Sequence, residues 1–176
     1  IILPVFINQS DTLFFILDSG VGSNLLTSTE NMGELTFRHS RQITIYGLGG
    51  ASELKAIHSF GNEMRLPGIV AEYQDIIIPE EDLFHLSQSL GRQINGIMGF
   101  DIFNSFVVEI KYSKKQIILY EQDYFDKKKR KRRERKGDVV PIQIKSRKPF
   151  VQVFLKDEQG KKFSINLLID SGASHA

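Results

Sequence analysis

The chain contains no cysteine, and that one absence excludes thiol nucleophiles, disulfide staples and cysteine-bound metals together. Histidine is scarce. His39, His58, His85 and His175 are scattered, with none of the spacing of a helical two-histidine zinc motif, so each reads as a surface or satisfied side chain. No metal and no other cofactor is therefore expected. No apolar run approaches the ~20 residues that a membrane-crossing helix needs. There is no initiator methionine: the chain opens on Ile1-Ile2-Leu3-Pro4-Val5, from which we expect that a leader or a few residues precede it, and export stays open.

What is present is an ordinary globular composition over 176 residues, enough for one domain, or for one small domain plus part of another. Thirteen Phe among many Ile, Leu and Val favour strands over a helical bundle. The formal charge of +2 conceals an asymmetry. Residues 127–136 hold nine of the 23 basic residues and one of the 21 acidic ones, leaving the rest of the chain at a net −6. A block of like charges repels itself and resists packing, so this run reads as a solvated linker, in part an exposed helix. A nucleic-acid or anionic-surface patch is the competing reading. It lacks interleaved aromatics for base stacking, and no nucleic-acid partner is expected.

The organising pattern is an apolar strand that stops at a carboxylate, a hydroxyl and a glycine. It occurs as Phe14-Phe15-Ile16-Leu17-Asp18-Ser19-Gly20 and again as Asn166-Leu167-Leu168-Ile169-Asp170-Ser171-Gly172. Each copy ends a hairpin: residues 3–7 turn over Asn8 to Asp11 into 12–17, and residues 150–155 turn over a longer loop into 163–169. Between them lie a polar connection at 28–40 with a strand fragment, Leu35-Thr36-Phe37, and a hairpin over 42–56 whose tip holds Gly47, Gly49 and Gly50. Strands are expected at 63–70 and 75–79, and a helix over 80–90 from the spacing of Leu83, Leu86 and Leu90. An apolar strand Ile94 to Phe100, a short helix 101–105 and a hairpin over 106–120 follow, and a new strand series starts at Val139. The expected fold is all-β, a closed barrel lobe with one or two short helices at 1–122, a basic linker at 123–138, and the opening hairpin of a second, similar lobe at 139–176.

A carboxylate at the end of a strand buried on both sides is costly to desolvate, and two copies preceded by apolar residues point to use. Two such carboxylates face to face cannot easily both ionise, so the pair shares one proton and offers one acid and one base. That suits amide hydrolysis: the ionised Asp takes a proton from attacking water, and the protonated one donates to the developing oxyanion. Asp18 and Asp170 are the candidate catalytic pair, Ser19, Gly20, Ser171 and Gly172 their supporting turns. A serine nucleophile fits poorly, since no histidine sits in a repeated context.

These residues resemble the retropepsin-like aspartic peptidases, whose signature is Asp-Thr-Gly or Asp-Ser-Gly with an apolar-apolar-Gly segment downstream, here Ile97-Met98-Gly99. The resemblance spans most of residues 3–120. It implies that Tyr46, Gly47, Leu48, Gly49 and Gly50 form the tip of a flap over a peptide or protein substrate, and that Ile97-Met98-Gly99 packs behind the catalytic turn. Members either dimerise, with one Asp per chain, or carry two lobes. The second Asp-Ser-Gly implies the two-lobed design, similar to tandem-lobe bacterial proteins that tend to be periplasmic or secreted, while an Asp18 to Asp18 homodimer is the variant. The alternative from another class is an inactive lobe that holds extended peptides without cutting them.

Overall fold

The computed structural model describes residues 1–29, 35–46, 53–82 and 84–173. The chain is mostly β, with a closed six-strand barrel and a few short helices. The first hairpin is β1 (Ile2–Ile7) and β2 (Leu13–Leu17), paired antiparallel from Ile2↔Ile16 to Val5↔Leu13. Leu13, Phe15 and Leu17 point inward and their neighbours do not, the period-two burial of a strand packed on one face. β3 (Asn24–Leu26) follows the Asp18 turn. β4 (His39–Tyr46) and the 14-residue β5 (Glu53–Leu66) pair antiparallel, and β6 (Ile69–Pro79) returns along β5. After α1 (Leu86–Leu90), β7 (Gly96–Met98) threads between β2 and β3, parallel to β2, and α2 (Phe100–Ser105) leads out.

The barrel order is thus β1, β2, β7, β3, β6, β5, with β5 closing onto β1 at Phe6↔Arg65 and Ile7↔Met64 and β4 flanking β5 outside the ring. β7 fits its slot because Gly96 has no side chain: a Cβ there would stand 2.6 Å from the Phe15 ring and closer still to the Leu25 carbonyl. Val5, Ile7, Leu13, Phe15 and Leu17 are wholly buried inside the ring with Met64 and Met98. Each such side chain contributes roughly 1.5–3 kcal/mol on burial.

One polar network crosses this interior. Asn8, at φ 50° in the β1–β2 turn, donates through Nδ2 to Asn62 Oδ1 (2.9 Å) and to the Thr36 carbonyl (2.7 Å), while its Oδ1 accepts the Glu63 amide. Asn62 Nδ2 in turn donates to Ser59 Oγ (2.8 Å). Ser59 and Asn62 mark the register shift that bends β5 around the barrel, so the amides satisfy groups that a bulge leaves unpaired.

Beyond the barrel, β8 (Val107–Lys111) and β9 (Gln116–Tyr120) form a ribbon, followed by the helices α3 (Gln122–Lys128) and α4 (Arg130–Glu134). The basic run is helical on either side of Lys129, where acids four residues away offset part of its repulsion: Asp123 beside Lys127, and Asp126 and Glu134 beside Arg130. Arg133 also reaches back to Glu109 on the ribbon at 2.6 Å. Last come β10 (Gln143–Lys145), β11 (Lys148–Lys156) and β12 (Lys162–Leu168), an antiparallel three-stranded sheet.

Several local expectations are corrected. Leu35-Thr36-Phe37 is not a strand: Leu35 and Phe37 pack on the core, while the Thr36 carbonyl goes to the Asn8 side chain rather than to a ladder. Residues 63–70 are two strands meeting at the Pro67-Gly68 turn. Helix forms only over the last turn of 80–90, and Leu83 lies outside the described residues. The strand series after the linker starts at Gln143, not Val139.

Candidate active site

The Asp18 turn is set by β7. Asp18 N–H donates to the Met98 carbonyl (3.0 Å), extending the parallel β2–β7 ladder one residue past Leu17, and the Phe100 amide donates to Val21 O (2.9 Å). Asn24, buried beneath, accepts the Gly99 amide on Oδ1 (3.2 Å). The Ile97-Met98-Gly99 segment therefore lies directly against the turn that carries Asp18.

The second Asp-Ser-Gly turn meets the first head-on. Ser19 N–H donates to Ser171 Oγ and Ser171 N–H to Ser19 Oγ, both at 3.1 Å. Ser19 Oγ donates to the Ile169 carbonyl (2.7 Å) and Ser171 Oγ to the Leu17 carbonyl (3.1 Å). Each hydroxyl thus accepts from the opposite serine and donates to the residue before the opposite aspartate, a two-fold pattern linking positions 152 apart in sequence. The strand ends obey the same symmetry: Leu17 N–H bonds Ile1 O and Ile169 N–H bonds Pro149 O, both at 2.9 Å.

Within the turns, Gly20 N–H donates to Asp18 Oδ1 (2.7 Å), and Gly172 and Ala173 N–H donate to Asp170 Oδ1 (2.8 and 2.9 Å). Each carboxyl also stands over the other turn's glycine. A Cβ on Gly172 would lie 2.5 Å from Asp18 Cγ, and one on Gly20 would lie 3.0 Å from Asp170 Cγ. No residue but glycine fits at 172 without pushing Asp18 aside. The Asp18 and Asp170 carboxyl groups thus stand beside each other, an arrangement that disfavours ionising both at once. Burial, then the Asp170 carboxyl, push the Asp18 carboxyl from 3.8 up to about 6, against the opposing pull of the Gly20 amide and the Lys148 ammonium.

The two halves differ in one respect. Matching the hairpin registers makes Val5, Ile7, Leu13, Phe15 and Leu17 equivalent to Val153, Leu155, Ile165, Leu167 and Ile169. The first set is fully buried, whereas Leu155, Leu167 and Ile169 are 41%, 45% and 41% exposed. A strand end buried on both sides, expected for both aspartates, is corrected for each: β2 buries only the face of Leu13, Phe15 and Leu17, and β12 leaves its apolar side chains partly in water. A largely apolar recess of about 550 Å³ between α2, β8 and the second sheet also opens onto Ser19, Asp170 and Ser171.

Of the flap residues, Tyr46 ends β4 opposite Glu53, and Gly47, Leu48, Gly49 and Gly50 lie outside the described residues. Among the described residues no group of three His, Asp or Glu could hold a metal ion, and no helix is long and apolar enough to cross a membrane. Sequence reasoning missed Lys148, whose charge bears on Asp18, and the buried Asn24. Only the structure identifies them, because neither sits in a repeated pattern. No family model and no curated protein matches the chain.

Proposed function

We propose that this chain carries the catalytic pair of an aspartic endopeptidase of the retropepsin-like kind, with Asp18 and Asp170 acting on one water. The observation that carries the reading is the reciprocal serine bonding that brings the two carboxyl groups together, with the Asp18 carboxyl raised by burial and by Asp170 beside it. The ionised carboxylate takes a proton from water as it attacks the scissile carbonyl, and the protonated one donates to the oxygen where negative charge develops. Ser19 and Ser171, with their hydroxyls committed to backbone, hold geometry rather than attack. The β4–β5 hairpin is the element that would cover an extended peptide.

Hydrolysis needs the singly protonated pair, so activity falls as pH rises through about 6. The test is a peptide library across pH 3 to 8, with Asp18→Asn and Asp170→Asn beside the wild type. Loss of cleavage in both variants supports a dyad within one chain. Loss in Asp18→Asn alone supports pairing between Asp18 of two copies, which would require displacing residues 169–172 from where they sit. A wild type that binds peptides and cuts none leaves the binding module as the reading. The same family resemblance argues for a periplasmic or secreted protein, and cell fractionation of a tagged chain tests it.

A further inference from the structure

The turn joining β10 to β11 is a two-residue hairpin loop, since Lys145 pairs with Lys148. Its residues, Ser146 and Arg147, both have positive φ (48° and 60°). Asn-Gly is the low-strain choice for such a loop, and a long side chain there costs conformational energy. The Arg147 side chain is what the loop gains. Its Nε donates to the Gly22 carbonyl (2.6 Å), its Nη2 bonds Asp101 Oδ1, and its guanidinium lies 5.5 Å from the centre of the Phe100 ring.

These three partners sit on the two segments that shape the Asp18 turn. Gly22 follows Asp18, and Phe100 and Asp101 follow Gly99, the residue after β7, with the segments already joined by the Phe100 to Val21 bond. Asp101 Oδ2 is shared with Asn24, which holds Gly99. From Arg147 the path to Asp170 is short. Two residues on, the Pro149 carbonyl fixes Ile169 N–H, and Ile169 precedes Asp170. A lone exposed ion pair contributes little. One guanidinium with a carboxylate, a carbonyl and an aromatic face, projected from a strained loop, is a docking device.

We propose that Arg147 is a positioning residue that sets how closely Asp170 approaches Asp18, by gripping both chain segments around the Asp18 turn. The assignment rests on reading the two aspartates as a working pair. Charge and position act in opposite directions on that pair. Losing a nearby positive charge makes the carboxyls harder to ionise, whereas letting them part makes ionisation easier.

The experiment is a ¹³C NMR titration of the aspartate carboxyls in the whole chain, for wild type, Arg147→Ala and Arg147→Lys, with peptide hydrolysis measured in parallel. In the wild type the Asp18 step is expected near 6, raised by burial and by the Asp170 carboxyl beside it. In Arg147→Ala the step moves toward the ordinary range, with kcat down on the order of 100-fold and KM little changed. Arg147→Lys keeps the charge and loses the fork, and falls between. An Asp18 titration that stays put or moves upward in Arg147→Ala overturns the proposal. If Arg147→Ala does not fold, an unchanged titration and kcat in Arg147→Lys overturns it equally. The titration needs no turnover. A wild type that cuts nothing but whose titration responds to Arg147 defeats the peptidase reading and keeps the docking role.

Discussion

Replacing Asp18 by Asn should stabilise the protein at neutral pH and not at acid pH. The Asp18 carboxyl is raised from 3.8 to about 6, so the folded chain holds a proton there that the unfolded chain has released. A raised pKa of this kind contributes stability that is fully present below about 4 and is lost as pH rises through about 6. The shift of roughly two units corresponds to about 3 kcal/mol. Asp18 keeps some exposure to solvent, so screening brings the realised figure nearer 1–2 kcal/mol. Asn removes the ionisation, and its amide can donate to the Asp170 carboxyl beside it. Urea unfolding followed by circular dichroism, for both proteins at pH 4 and pH 7.5, isolates the effect because other groups cancel in the difference. The expected result is near equality at pH 4 and a variant about 1–2 kcal/mol more stable at pH 7.5. A difference that does not change with pH, or changes in the opposite direction, refutes the raised Asp18 carboxyl.

Three further perturbations probe the frame. Ser19→Ala removes the hydroxyl that serves Ser171 N–H and the Ile169 carbonyl, and should loosen the second turn by about 2 kcal/mol, read as faster amide exchange at Ile169 and Ser171. Gly172→Ala drives a methyl group into Asp18, and should cost about 1–3 kcal/mol of docking and abolish any hydrolysis while the barrel's thermal midpoint stays put. Asn62→Ala takes away one of the two acceptors of Asn8 Nδ2 and the donor to Ser59 Oγ in the interior, and should lower barrel stability by about 1–3 kcal/mol in urea titration. An Asn62→Ala barrel as stable as wild type would show that the buried network is incidental.

The first hairpin was legible because Leu13, Phe15 and Leu17 alternate with less buried neighbours, and alternation is a local property of a strand. The paired turns were legible because the motif repeats. The insertion of β7 between β2 and β3 was not, since parallel pairing of Phe15 with Gly96 joins residues far apart and leaves no local trace. Thr36 lies in an apolar triplet yet is no strand, because a buried asparagine claims its carbonyl. Exposure of Leu167 and Ile169 was illegible for a related reason: an apolar strand announces that it can be covered, and says nothing about whether anything covers it. Arg147 gave no signal at all, because a Ser-Arg turn looks like any other polar loop until its partners are seen.

The two aspartates stand on foundations of unequal stiffness. Asp18 ends a strand whose inner face is locked into a closed ring, and Asp170 ends a strand of a three-stranded sheet whose apolar side chains stay partly in water. In this stretch of chain, thermal motion at the meeting point should therefore fall mostly on the Asp170 side, like a hinged leaf against a fixed frame. Warming should separate the pair well before the barrel melts, so a calorimeter and an assay of the joined turns would report different temperatures for the same molecule.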